Sequence, residues 1–286
     1  MGHDVFSDAA LVLVGHGSTQ NSASSAPVYQ HAAELRRRKC FAEVREAFWK
    51  QEPRVMEVLP GITAPRVFIV PLFISEGYFC EEGIPRALGF RSEGQAGFSR
   101  MLQRGGQTLF YCKPIGTHDS MTHVLLACAR VVVEKYPFPH APLPGETTLF
   151  IAGHGTDESE NSRKAIERQV GLIRELNLYA AVQGVFMEEE PRIGDYHQLA
   201  RTRNVVVVPF FISGGMHAQE DIPVLLGEPR GVVERRLRDS QPTWRNPTER
   251  KGKLVWYSAA VGSEPHVAGV ILERVREAKA EAALNR

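Results

Sequence analysis

Apolar residues along this chain fall into two alternating patterns. Short runs rich in Val, Ile, Leu and Phe at 11–15, 41–48, 66–74 and 107–112 read as strands, and the near-continuous ones suit a parallel sheet buried on both faces. Between them, apolar residues at helical spacing predict helices over 28–39, 54–59, 81–88 and from 116 through 131, the last capped by Thr117. The pattern then begins again. Strands are expected at 147–152, 180–186, 205–212 and 253–259, with helices over 162–176 and 264–283, the second capped by Ser263. Alternating β and α elements imply parallel strands joined by right-handed crossovers, with helices on both faces.

The second half repeats the first. LVLVGHGS at 11–18 matches LFIAGHGT at 149–156, and EAFWKQEPR at 46–54 matches GVFMEEEPR at 184–192. VFIVPLFISEGYFCEEGIPRALG at 67–89 matches VVVVPFFISGGMHAQEDIPVLLG at 205–227. His16 and His154, Pro53 and Pro191, and Pro71 and Pro209 all stand 138 residues apart. Three motifs at one ungapped offset make the chain two copies of one unit. The expectation is two lobes of four parallel strands each, at 1–138 and 146–286. The proline-rich YPFPHAPLPG at 136–145 would be the link.

In an open parallel lobe, ligands gather beyond the carboxyl ends of the strands. In the second copy the residues there are His154, Glu188 and His217. Two imidazoles and a carboxylate suit a divalent transition ion and also suit proton abstraction. Their counterparts in the first copy are His16, Lys50 and Phe79, of which only the first keeps its type, so one lobe reads as competent and the other as vestigial. Each residue also has a plainer reading. A histidine between glycines can be a turn residue, Glu188 heads the run Glu188-Glu189-Glu190 that can simply face water, and His217 can be an ordinary loop histidine. Only the joint placement at three strand ends favours a site.

Composition narrows the function classes. The 286 residues are 43% hydrophobic, enough to bury a core. A formal charge of +1 argues against a general nucleic-acid or membrane-surface binder. Cys40, Cys80, Cys112 and Cys128 form no C-x-x-C pair, so neither a cysteine metal site nor a disulfide framework is expected, and a reducing cytoplasm fits. The acidic start does not resemble a signal peptide, and no apolar run is long enough to span a bilayer. The stretch 228–253 carries eight Lys or Arg against four acids. It reads either as a solvated helix and loop or as a mobile cover for a polyanionic small molecule.

GHG near the start of a unit, F-[LM]-E ahead of Glu-Pro, and VP-x-F-x-x-x-G-x-H before a [DE]-[IL]-P turn resemble the class II tetrapyrrole chelatases. The sirohydrochlorin cobaltochelatases and ferrochelatases of cobalamin and sirohaem biosynthesis are the most similar group. The resemblance spans nearly all of both copies. It implies two tandem flavodoxin-like, chelatase-like lobes. It also implies insertion of a divalent metal ion (Co²⁺ or Fe²⁺, with Ni²⁺ also served by such ligands) into sirohydrochlorin or a related tetrapyrrole. The ion is a substrate and no organic cofactor is expected. The family's His, Glu and His fall on His154, Glu188 and His217, as metal ligands and catalytic groups. Arg163, Lys164, Arg54 and Arg192 are candidates to meet the substrate's carboxylates. The remaining expectations are a monomer or weak homodimer, with no nucleic-acid or membrane partner. A non-catalytic metal or tetrapyrrole carrier on the same fold is the alternative. A hydrolase or phosphatase ranks last, since the chain has no G-x-S-x-G elbow.

Overall fold

The computed structural model describes residues 6–94, 97–155 and 160–284; Thr156, which closes the GHGT motif of the second copy, lies outside them. The first copy runs β1 (Phe6–Gly15), α1 (Ala26–Arg38), β2 (Phe41–Phe48), β3 (Arg66–Pro71), α2 (Ile84–Leu88), β4 (Met101–Arg104), β5 (Gln107–Tyr111) and α3 (Met121–Lys135). The second runs β6 (Thr147–Gly153), α4 (Asn161–Glu175), β7 (Ala181–Phe186), α5 (Tyr196–Leu199), β8 (Asn204–Pro209), α6 (Ile222–Leu225), α7 (Arg230–Arg238), β9 (Thr248–Arg250), β10 (Lys253–Tyr257) and α8 (Val267–Leu284). The predicted 54–59 helix is a single 3-10 turn, Val55–Glu57.

Each copy builds a five-stranded sheet, ordered β2-β1-β3-β5-β4 and β7-β6-β8-β10-β9. The four strands expected per sheet are present and parallel. The fifth corrects the expectation: β4 and β9 are short antiparallel edge strands. Each joins its neighbour through two residues of positive φ, Gly105-Gly106 and Lys251-Gly252, the backbone that a tight hairpin requires. These strands are only four and three residues long and half-exposed, β4 carrying just Met101 and Leu102 as apolar residues and β9 none, so they lack the long apolar run that marks the rest; short edges also resist further strand pairing. At the centre of each sheet, β3 and β8 are buried over all but their first residue.

The chain packs into two compact units, 1–118 with 265–286, and 119–264. This grouping by contacts differs from the linear division expected at 138 and 146. In the first unit α8 lies against β3, β5 and α1, burying Val267, Ala268, Val270, Ile271 and Val275. In the second, α3 lies against β8, β10 and α4, and Thr122 donates to Gln169 across a buried 2.8 Å bond. Each sheet therefore takes its last helix from the other copy. Periodicity says that a helix buries one face, not which sheet receives it.

Both predicted caps also move. Thr117 closes a 3-10 turn, Ile115–Thr117, and its hydroxyl donates to the Pro114 carbonyl and accepts from Arg274 at 2.7 Å. Ser263 occupies the matching turn, Val261–Ser263, ahead of α8. Gly116 and Gly262 sit in these turns against the backbone of Ile74 and Ile212, where an added Cβ would overlap a carbonyl oxygen at 2.1 and 1.7 Å. Those contacts pin the loops that follow β3 and β8.

Candidate active site

In the second sheet β6 lies between β7 and β8, so the chain leaves β6 in one direction and returns on the other side. The crevice at that reversal is the ligand position of an open parallel sheet, and all three candidate residues lie around it. Gly153 ends β6 beneath α4, where a Cβ would stand 2.0 Å from Ile166 Cδ1. Gly155 has φ +68°, and a Cβ there would overlap Glu189 and Phe186 at 2.6 and 2.8 Å. Both glycines of the GHG motif are thus fixed by packing. His154 between them is not; its ring is half-buried, with Nδ1 2.9 Å from the Gly155 carbonyl.

β7 ends at Phe186, whose amide donates to the Pro191 carbonyl at 2.9 Å, so the intervening acids form a tight loop. That loop separates the three glutamates. Glu189 is 18% exposed and pairs with Arg163 at 2.8 Å. Glu190 pairs with Arg192 at 3.0 Å. Glu188, 58% exposed, is held by its amide on the His154 carbonyl, and its carboxylate stands 3.6 Å from His154 Nδ1. The F-x-E spacing therefore picks out the one member of the run that faces the histidine.

His217 opens a π-helical turn, His217–Asp221, that leads into α6. Its ring meets that of His154 edge to face, centroids 4.9 Å apart at 82°, with Phe211 5.9 Å behind it. Asp221 accepts from His217 Nδ1 at 2.8 Å. With both Nδ1 atoms donating, to a carbonyl and to a carboxylate, each imidazole keeps its lone pair on Nε2. Among the described residues no three His, Cys, Asp or Glu side chains form a ready-made ion cage. The arrangement is an imidazole pair with a carboxylate beside one member, suited to an ion that must leave again and to a proton acceptor.

Asp221 is the residue that sequence reasoning missed; it read only as a helix start. Two signals were available: the four-residue spacing from His217, and Gly83 at the matching place in the copy where Phe79 replaces the histidine. In the first sheet the geometry persists without the chemistry. His16 meets Phe79 at 5.0 Å and 79°, and burial, with Lys50 nearby, pushes the His16 pKa down.

The four basic substrate candidates are already engaged. Arg163 holds Glu189 and Glu167 and lies 4.4 Å over the Phe186 ring; Lys164 pairs with Glu160 at 2.7 Å. Arg54 pairs with Glu52 at 3.3 Å and donates to the Trp49 carbonyl, as Arg192 pairs with Glu190. Lys164, Arg54 and Arg192 are in exposed pairs that a carboxylated ligand can displace at small cost, whereas Arg163 is built into the site loop. The basic stretch forms α7 and β9. There Glu228, 5% exposed, pairs with Arg236 and Arg250 at 3.4 and 3.1 Å, so the solvated-helix reading fits better than a mobile cover. No helix among the described residues is long and apolar enough to cross a membrane.

The chain is similar to several known proteins. A "Probable sirohydrochlorin cobaltochelatase" of Halobacterium salinarum is 42% identical over 281 residues, covering 95% of this chain and 92% of that protein. A multi-domain protein of Deinococcus radiodurans, described as structurally similar to chelatases, superposes with a TM-score of 0.74 at 28% identity. It covers 93% of this chain, which spans only about half (54%) of that protein. SirB of Bacillus subtilis, solved with Fe³⁺, gives a TM-score of 0.67 at 17% identity over 96% of this chain and 97% of its own, a likeness of fold. CbiX, as a family, matches residues 10–131 and 148–278. With both repeats matched and a relative 42% identical over nearly its whole length, the chain belongs to the CbiX family of chelatases.

Proposed function

We propose that this chain inserts a divalent metal ion, Co²⁺ or Fe²⁺, into sirohydrochlorin, and that the second copy alone carries the chemistry. The observation behind this reading is the His154–His217 pair, 4.9 Å apart at the strand reversal, whose first-copy counterpart has lost one imidazole. Family membership supplies the substrate class. Cobalt is named for the Halobacterium relative, while imidazole and carboxylate ligands suit iron and nickel as well.

Insertion exchanges two pyrrolic protons of the free macrocycle for one divalent ion. The ion must first lose bound water. His154 and His217 offer it Nε2 lone pairs on a half-open surface, a set too small to trap it. Glu188, 3.6 Å from His154 Nδ1, is the third donor and the exposed carboxylate that accepts a released proton and passes it to solvent. Asp221 positions His217 by holding its Nδ1 proton, as carboxylates behind metal-binding histidines do. Lys164, Arg54 and Arg192 can exchange their local glutamates for substrate carboxylates.

Anaerobic absorbance of sirohydrochlorin with Co²⁺ or Fe²⁺ tests this. A catalyst gives a shift of the macrocycle bands, faster than without protein and continuing over many equivalents. A change that stops at one equivalent identifies a carrier, and no acceleration with either ion rejects the proposal.

A further inference from the structure

Arg163 stands in the first turn of α4 and reaches the loop after β7 at three points. Its Nε and Nη2 meet the Glu189 carboxylate at 3.0 and 2.8 Å, and Nη2 also donates to the Glu190 carbonyl. Its guanidinium lies 4.4 Å over the ring of Phe186, the last residue of β7. Glu188 is bracketed by these contacts. Its own amide donates to the His154 carbonyl at 3.2 Å, and the next two residues are both tied to α4. Glu189 also packs against Gly155, where an added Cβ would stand 2.6 Å from its Cγ.

The first copy folds the same loop differently. Gln51 takes the place of Glu189, its Cγ 2.7 Å from an added Cβ on Gly17, and accepts from the Ser18 amide at 2.8 Å. Ser25 stands where the second copy has Arg163, and its hydroxyl donates to the Ser22 carbonyl at 3.1 Å. Tyr29, in the place of Glu167, covers Phe48 with ring centroids 5.2 Å apart. The space over the phenylalanine is thus filled in both copies. The turn also closes in both, with Phe48 and Phe186 donating to the Pro53 and Pro191 carbonyls at 2.9 Å. Neither packing nor the turn requires an arginine. What differs is the residue that the loop carries, Lys50 in one copy and Glu188 in the other. Glu188 is 58% exposed, so little packing holds its side chain and its aim depends on the backbone beneath it. A planar guanidinium making charge-assisted bonds at fixed angles suits that task.

We propose that Arg163 is a positioning residue for Glu188. By clamping Glu189 and Glu190 to α4 it holds the Glu188 carboxylate toward His154, where the ion is taken up. This rests on the reading of Glu188 as the third donor, and it makes Arg163 part of the metal side of the reaction rather than an anchor for the tetrapyrrole.

The test is calorimetric titration of the full-length chain with Co²⁺, without tetrapyrrole, alongside steady-state insertion kinetics. Arg163→Ser combined with Glu189→Gln installs the uncharged pair of the first copy and strands no carboxylate. This double variant is expected to raise Kd for Co²⁺ about tenfold, with KM for Co²⁺ rising in parallel and KM for sirohydrochlorin unchanged. Arg163→Lys, which keeps the charge without the planar fork, should raise Kd by less. In a Glu188→Gln background the double substitution should add nothing, because Arg163 acts through that carboxylate. An equal loss in both backgrounds overturns the proposal and assigns Arg163 to the fold, and wild-type Co²⁺ binding by the double variant overturns it as well. A rise confined to KM for sirohydrochlorin also overturns it, and makes Arg163 a substrate anchor. If Glu188→Gln alone binds Co²⁺ as wild type does, the donor role of Glu188 fails and both readings fall together.

Discussion

The imidazole pair owes its orientation to atoms one shell out. Asp221 fixes the tautomer of His217 through a 2.8 Å bond, so removing it frees the ring to rotate and to protonate on the wrong nitrogen. Asp221→Ala is expected to raise KM for the metal ion by about tenfold or more while leaving KM for the tetrapyrrole near wild type. In a His217→Ala background the same substitution should add nothing, because Asp221 acts through that ring. An equal loss in both backgrounds would assign Asp221 to the fold instead. Residue types at His154, Glu188 and His217 were legible from the sequence, since each follows a strand-like run at a shared offset. Which of three consecutive glutamates faces His154 depends on Arg163 and Arg192 claiming the other two, a tertiary fact that spacing only suggested. Asp221 stayed hidden because a helix-start motif already accounted for it.

At the level of elements, strong apolar runs revealed every parallel strand, and β2 matches its predicted span of 41–48. The edge strands β4 and β9 escaped because four and three residues are too short for a strand pattern to show; the Gly105-Gly106 and Lys251-Gly252 turns were the available clue. The basic stretch was ambiguous for a related reason, since charge counts do not say which arginines are used internally. Glu228 sits 5% exposed between Arg236 and Arg250, tying α7 to the hairpin of β9. Removing one partner of such a buried cluster strands the others, at about 3 kcal/mol. Glu228→Gln should therefore lower the thermal midpoint by several degrees with KM for the tetrapyrrole unchanged. If instead the variant is as stable as wild type and binds substrate more weakly, the stretch serves the ligand, as the cover reading holds.

For the molecule as a whole, duplication was readable and the exchange of helices was not. Both α3 and α8 present one apolar face that suits either sheet, so only three-dimensional packing could assign α8 to the unit of 1–118. A fragment ending at residue 138 leaves that sheet without α8 and the apolar residues it covers exposed to water. It should show no cooperative thermal transition, whereas residues 1–118 joined through a flexible linker to 265–286 should regain one. A cooperative transition in the 1–138 fragment would contradict the exchange.

On the proposed reading, duplication was followed by a divergence in which one copy handles the metal and the other does not. The most direct measurement is the rate of Co²⁺ insertion into sirohydrochlorin by His217→Ala and His16→Ala, side by side with wild type. His217→Ala should lose nearly all turnover, and His16→Ala should keep most of it. Equal losses in the two variants would contradict the proposed reading.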